Sequence, residues 1–338
     1  MSERVRLTPA IADIRRAVRE SWQANKISKG TVAVACSGGP DSLALAAAAI
    51  FEGNRAKIKI AVVIINHNLQ PGTDKVAERT AKLVKELGAH HVEVISVSVN
   101  KTKTGLEASA RDARYKALAE FALRHKVVTT MLGHTLDDQA ETVLLGLARG
   151  SGARSLSGMN EKSADGNYLR PLLHIRRATT VAFCRDSNLI YWTDPQNKDT
   201  KFSRVKVRSK VLPVLEKELG PGISEALART AQILQEDALY LDKQAEKLFS
   251  KAARTLATEI ILDAELLAKA PIALANRVIL KALAMLSVEP SRNAIESVMK
   301  LVTNWHGQKP LTLPGVRVIR KSNQISLKST KTIKTGAC

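Results

Sequence analysis

Four short runs of nearly all-apolar, mostly β-branched residues, 31–36, 59–65, 92–99 and 127–132, alternate with longer helical stretches at 41–51, 73–87 and 106–125. No other feature constrains the chain as tightly. A strand that is apolar on both faces must be covered on both, and that is the condition of a parallel sheet. The intervening stretches are long enough for the crossovers that parallel strands need. Right-handed crossovers then give an α/β fold with a doubly wound parallel sheet, whose ligands bind beyond the carboxyl ends of the strands. Ahead of the first strand, Ile11, Ile14, Val18 and Trp22 recur at helical spacing over residues 9–24. Arg15, Arg16 and Arg19 fall on the other face, but Glu3, Asp13 and Glu20 do not suit a transit peptide, so a helix of the mature protein is expected.

Between the first strand and the first crossover helix stands Ser37-Gly38-Gly39-Pro40-Asp41-Ser42. Glycines let backbone N–H groups converge, and the helix N-terminus that follows adds partial positive charge, so this loop is built to cradle phosphates. Ser37 and Ser42 supply hydroxyl donors, and Asp41 is placed to hold Mg²⁺ bridging phosphate oxygens. The GxxxxGK[ST] spacing and its lysine are missing, so this is not a Walker A loop. The plain alternative is a turn in which Asp41 or Ser42 only caps the helix.

Two further segments place chemistry on helix faces. Glu107, Arg111 and Arg114 fall at i, i+4 and i+7, where the arginines can clamp phosphates or a carboxylate and where Glu107–Arg111 can equally be a surface pair. His134, Asp138 and Glu141 or Thr142 share another face just after the fourth strand. Thr135 and Asp138 also have capping-box spacing, which is compatible with catalysis. Lys201, Arg204, Lys206, Arg208 and Lys210 put five cations into ten residues without an acid. Over the whole chain, 52 Lys+Arg stand against 32 Asp+Glu, a net charge of +20 that makes a polyanion such as nucleic acid the first partner to consider.

The hexapeptide resembles the SGGxDS loop of the PP-loop ATP pyrophosphatases, which cleave ATP between its α and β phosphates. Further segments, in order, are similar to those of tRNA(Ile)-lysidine synthetases: Asn66-His67-Asn68-Leu69; the helix from Leu106 to Tyr115; Gly133-His134-Thr135-Leu136-Asp137-Asp138-Gln139-Ala140-Glu141-Thr142; Arg149-Gly150-Ser151-Gly152; Arg170-Pro171-Leu172; and the series Asp194, Asn197, Arg204, Arg208, Pro213. The resemblance covers about residues 30–217. It implies that ATP and Mg²⁺ are held by residues 37–42 and His134, with Asp41 on the metal. It also implies that the C2 oxygen of the wobble cytidine in tRNA(Ile) with a CAU anticodon is adenylated, and that free L-lysine then displaces AMP. Arg111 or Arg114 would stabilise phosphoryl charge. Asp137, Asp138 or Glu141 would orient the lysine ammonium, and Arg149, Arg204 and Arg208 would contact tRNA. Val205 departs from the pattern, which usually has Asn there.

The expected organisation is a catalytic domain over 1–217, a helical link over 218–254, a small α+β tRNA-binding domain over 255–330 and a basic tail over 331–338. In the small domain, helices are expected at 271–286 and 291–303, and a strand pair at 316–319 and 324–327. A third, C-terminal domain found in longer family members is not expected. Cys36, Cys184 and Cys338 form no CxxC pair, which argues against a disulfide scaffold and against sulfur-transfer chemistry that needs paired cysteines. The longest apolar runs fall short of the roughly 20 residues a bilayer span needs, so no membrane span is expected. The cysteine usage suits a reducing cytoplasm, where a monomer or homodimer is expected.

Overall fold

The computed structural model describes residues 7–66, 72–98, 106–150, 152–288 and 291–330. The motif residues His67, Asn68, Leu69 and Ser151, the side chain of Glu107 and the tail 331–338 lie outside the described residues. The chain divides into two compact units, 1–235 and 236–338.

In the first unit, α1 (Pro9–Ala24) opens with Thr8 accepting from the Ile11 N–H and with Pro9 in the first turn, where no N–H partner is lost. There follow β1 (Thr31–Ala35), α2 (Pro40–Ala56), β2 (Lys59–Asn66), α3 (Thr73–Glu86), β3 (His91–Ser96), α4 (Leu106–Arg124), β4 (Val127–Leu132), α5 (Leu136–Ala148), the single turn α6 (Ala153–Leu156), β5 (Tyr168–Leu169) and α7 (Arg177–Asp186). All five strands are parallel, in the order β3-β2-β1-β4-β5. The chain therefore moves outward from β1 in one direction and, after β3, returns to its other side. The reversal lies between β1 and β4, and the crevice at their carboxyl ends is the topological switch point.

Strand residues alternate between two cores, as the pleat requires. Val32, Val34, Val62 and Ile64 face Ile11, Ile14, Val18 and Trp22 of α1 and the small-residue face of α2, with Phe183 of α7 in the same cluster. Ala33, Ala61 and Val63 face Leu118 and Phe121 of α4. Small residues on β1 and α2 let helix and sheet approach closely. The third strand stops at Ser96, short of the apolar run's end at 99, and the two-residue β5 is too short to leave a periodic signal.

Beyond α7 come a 3₁₀ turn (Pro195–Lys198), α8 (Ser203–Lys206), a π-helical turn (Val207–Val211), α9 (Leu212–Glu218) and the long α10 (Ile223–Ala252), within which the division into units falls. Pro213 has no N–H for the carbonyl four residues back, so the regular ladder cannot run through Ser209. The Glu216 carboxylate accepts from the N–H groups of Gly222, Ile223 and Ser224 and so caps α10.

The second unit contains an antiparallel sheet of β6 (Ala253–Thr255), β7 (Glu259–Asp263), β8 (Leu311–Leu313), β9 (Val316–Lys321) and β10 (Gln324–Ser329), ordered β6-β7-β10-β9-β8. Helices α11 (Ala264–Lys269), α12 (Ile272–Met285) and α13 (Arg292–Thr303) belong to the same unit. Ile260, Leu262, Val278, Ile279, Leu283, Val298, Val316, Val318, Ile325 and Leu327 make its core. The sequence pattern marks α12, α13 and the β9–β10 hairpin. Strands β6, β7 and β8 are three to five residues long, and only their pairing reveals them.

Candidate active site

The loop after β1 folds into a tight arch. Gly38 has φ +82°, and a Cβ there would sit 2.6 Å from Thr80 Oγ1, so both conformation and space demand glycine. Ser42 Oγ accepts from the Ser37 N–H at 3.1 Å, lies 3.1 Å from Ser37 Oγ and donates to the Gly39 carbonyl. From outside the loop, the Trp192 N–H donates to the Gly38 carbonyl at 2.8 Å. The helix cap is Gly39, with no side-chain cap bond, so Asp41 and Ser42 do not serve as caps. Instead Asp41 reaches across to α7: one oxygen accepts from Arg177 Nε at 3.0 Å, the other from the Thr180 hydroxyl. Burial raises its pKa above the usual carboxylate range despite these partners.

The segment after β4 packs directly on this loop. A Cβ on Gly133 would lie 3.0 Å from backbone atoms of Ser42, so strand end and helix start touch main chain to main chain. Thr135 and Asp138 form the expected capping box: Asp138 Oδ2 accepts from the Thr135 N–H at 2.8 Å and from its hydroxyl at 2.9 Å. The other Asp138 oxygen accepts from Arg177 Nη2 at 2.9 Å. Burial alone would push Asp138 up, but Arg177, His134 and the Thr135 donors hold it below its ordinary value. Glu141, fully buried at 0% exposure, is gripped by Arg208 through two bonds of 2.6 and 3.1 Å and lies 3.6 Å from Arg177. This fork geometry is the strong form of a carboxylate–guanidinium pair.

Asp41, Asp138, Glu141, Arg177 and Arg208 thus form one continuous network. Arg177 is its hub, touching all three carboxylates. Burial works against its charge, yet the three acids outweigh that and raise its pKa. Sequence reasoning passed over Arg177. The available signal was a second arginine beside Arg176 at a helix start, an electrostatically poor place for a cation unless acids face it. Asp137 sits apart from the network: its carboxylate accepts from the Arg177 N–H at 2.7 Å and so holds the start of α7. Arg208 is presented by the π-helical turn, an interruption that often marks functional positions.

A second group surrounds His134. Burial depresses the His134 pKa to about 3, with the charges of Arg114, Arg170 and Arg204 adding to the effect and Asp138 opposing it. Among the described residues, His134 Nδ1, Arg114 Nε and Arg170 Nε are buried without a hydrogen-bond partner. Buried donors left unpaired are costly, and a cluster of them suits an anionic ligand. Arg111 lies exposed beside the Tyr115 ring, Arg149 is exposed at the end of α5, and Arg204 donates to Thr142 Oγ1 at 3.3 Å. Val205, the departure from the family pattern, is a buried residue at 7% exposure.

A parallel sheet with a glycine-bearing phosphate loop at its switch point defines the class: a PP-loop nucleotide-binding domain. The family model described as the PP-loop domain matches residues 12–215, and the TilS substrate binding domain matches residues 262–325. Two relatives, both tRNA(Ile)-lysidine synthases, are from Leifsonia xyli subsp. xyli (47% identical, covering 87% of this chain and 89% of the relative) and Streptomyces coelicolor (46%, covering 86% and 82%). The chain belongs to the tRNA(Ile)-lysidine synthase family. Among solved structures, the U34-tRNA thiolase of Methanococcus maripaludis with its 4Fe-4S cluster is similar in fold (TM-score 0.56, 20% identity, covering 67% of this chain and 80% of that chain). Among the described residues no helix is long and apolar enough to cross a membrane.

Proposed function

We propose that this enzyme uses ATP to adenylate the C2 oxygen of the wobble cytidine in tRNA(Ile) bearing a CAU anticodon, then joins free L-lysine to C2 with loss of AMP. The observation that carries this reading is the salt-bridge network centred on Arg177, which ties the phosphate loop to the buried acids of α5.

The loop residues Ser37, Gly38, Gly39, Pro40 and Ser42 hold the pyrophosphate portion of ATP through backbone N–H groups and hydroxyls at the start of α2. Asp41 would hold Mg²⁺: burial raises its pKa, and a divalent cation at the loop would favour its ionised form. When bound, Mg²⁺ neutralises charge on the phosphate oxygens. The unpaired donors of His134 and Arg114 supply further stabilisation to the anionic group, in a site where no reorganisation is needed at the moment of reaction. His134 stays neutral across the physiological range and serves as a hydrogen-bonding group rather than as a cation.

Asp138 and Glu141 are the acids that orient the lysine ammonium, and Asp137 acts through α7 by holding the Arg177 backbone. For the ε-amine to attack C2 it must lose a proton; Asp138, held ionised below its ordinary pKa, orients the ammonium electrostatically while the proton passes to solvent. Arg208 positions Glu141 and Arg204 approaches Thr142, while exposed Arg149 and the exposed lysines Lys201, Lys206 and Lys210 reach for tRNA phosphates. The test is incubation with ATP, radiolabelled lysine and defined transcripts. Lysine should enter the isoleucine transcript with a CAU anticodon and enter the methionine transcript little. Transfer of sulfur or ammonia instead, or of nothing, would overturn the reading.

A further inference from the structure

We propose that His91, Glu93 and His125 form a binding site for one Zn²⁺-like divalent cation, at the end of the sheet away from the phosphate loop. His91 and Glu93 stand two apart on the edge strand β3 and so project from the same face. His125 follows directly on the last residue of α4. Because the strands are parallel, the start of β3 and the link from α4 to β4 lie at the end opposite the carboxyl-terminal crevice.

Three donor atoms, one from each residue, all lie within 4.8 Å of one another. His125 Nε2 is 3.0 Å and His91 Nε2 3.6 Å from the same oxygen, Glu93 Oε2. Tetrahedral ligand atoms at bond lengths of about 2.0–2.2 Å sit roughly 3.3–3.5 Å apart, so the two nitrogen–oxygen edges are within a few tenths of an ångström of what an ion needs, and the third edge is at most 4.8 Å. Arg124 fixes the carboxylate, donating to Oε1 at 2.6 Å and more weakly to Oε2 at 3.4 Å, and Oε2 is the oxygen that both imidazoles approach. Phe121 of α4 holds both rings, with centroids 6.1 Å from His91 and 4.4 Å from His125.

A hydrogen-bonded trio of the same residues would account for His125 but not for His91. His91 Nε2 is buried and has no hydrogen-bond partner among the described residues, although Glu93 Oε2 lies 3.6 Å away. A cation at the convergence point satisfies both nitrogens and the oxygen together. Two imidazoles and one carboxylate select a late first-row ion over Mg²⁺ or Ca²⁺, and the fourth position is left for water. Side-chain exposures of 42%, 28% and 25% for His91, His125 and Glu93 give the ion a route in. Bound there, it would fasten the edge strand to the α4–β4 link. That is a structural role, separate from nucleotide chemistry and independent of the function proposed above.

The experiment uses the full-length protein, stripped with EDTA, desalted and titrated with ZnCl₂ by calorimetry. One Zn²⁺ per chain is expected, with affinity reduced at least about tenfold in His91→Gln and in His125→Gln. X-ray absorption of the wild-type zinc complex provides a readout that needs no variant, and its first shell should contain two imidazoles. Failure to bind zinc, binding unchanged in both variants, or a shell without paired imidazoles would each overturn the proposal.

Discussion

Replacing Arg177 by Met removes the hub of the site while keeping an unbranched chain of similar length. The guanidinium lies 3.0 Å from Asp41, 2.9 Å from Asp138 and 3.6 Å from Glu141. At an effective dielectric near 20, a unit pair at about 4 Å is worth roughly 4 kcal/mol before desolvation is counted. Two closer pairs and a third at the margin exceed the cost of burying one guanidinium that is still 21% exposed. In the variant three carboxylates face one another with only Arg208 left among them. Breaking a buried ion pair from one side typically costs about 3–5 kcal/mol, a large share of a domain's stability. Urea unfolding without nucleotide, followed by tryptophan fluorescence, measures this. A Trp305→Phe background leaves Trp22 and Trp192 as reporters, both in the first unit. With a slope of about 2–3 kcal/mol/M, the midpoint should fall by roughly 1–2 M. Adding Glu141→Gln to the Met variant should recover part of the loss, because it removes a buried charge that has lost a partner. A loss under about 1 kcal/mol would place the network in the class of exposed surface pairs and refute the reasoning.

Asp41→Ala should abolish lysine transfer while tRNA affinity stays within a few fold, checked by filter binding beside the transfer assay; retained turnover in Mg²⁺ would remove the metal role. Neutralising exposed Lys206 and Lys210 should lower the salt slope of tRNA binding by up to about 2 units, whereas Arg208→Gln, which breaks the grip on Glu141, should lose transfer at nearly unchanged slope. Folded His134 refuses a proton down to about 3 while the unfolded chain accepts one near 6.5, so the unfolded state binds more protons in that window. Wild-type stability should therefore fall as pH drops from about 6.5, by up to about 1.4 kcal/mol per unit from this group, and that component should vanish in His134→Asn. Gly38→Ala should destabilise the first unit by thermal melt, since the added Cβ strikes Thr80.

Much of the catalytic unit is legible in the chain because its signals are local. Buried parallel strands need continuous apolar runs, and a loop that cradles phosphate needs glycine at a positive φ, as Gly38 shows. Asp138 and Glu141 could be placed on one face by spacing alone. What spacing could not supply is partnership across the fold. Arg177 meets Asp41 from 136 residues away, and no period relates them. Arg208 likewise reads as one cation in a solvated run, and only the packing of its turn against α5 turns it towards Glu141. The short strands β5, β6 and β8 were hidden for a similar reason, since two or three residues carry no alternation.

The π-helical turn at Val207–Val211 gives the chain an unusual intolerance to changes in length. A regular helix advances each residue by about 100° around its axis, so the one-residue surplus in this turn sets the compass bearing of Arg208. Deleting a single residue between Val205 and Pro213 would convert the turn to ordinary helix and swing the guanidinium about a quarter-turn away from Glu141. Substitutions on its outer, solvent-facing side leave that bearing alone. Natural variants of this segment should therefore differ freely in side chain at the exposed Ser209, exchange Lys206 and Lys210 only for another cation, and keep the residue count from Arg204 to Pro213 fixed.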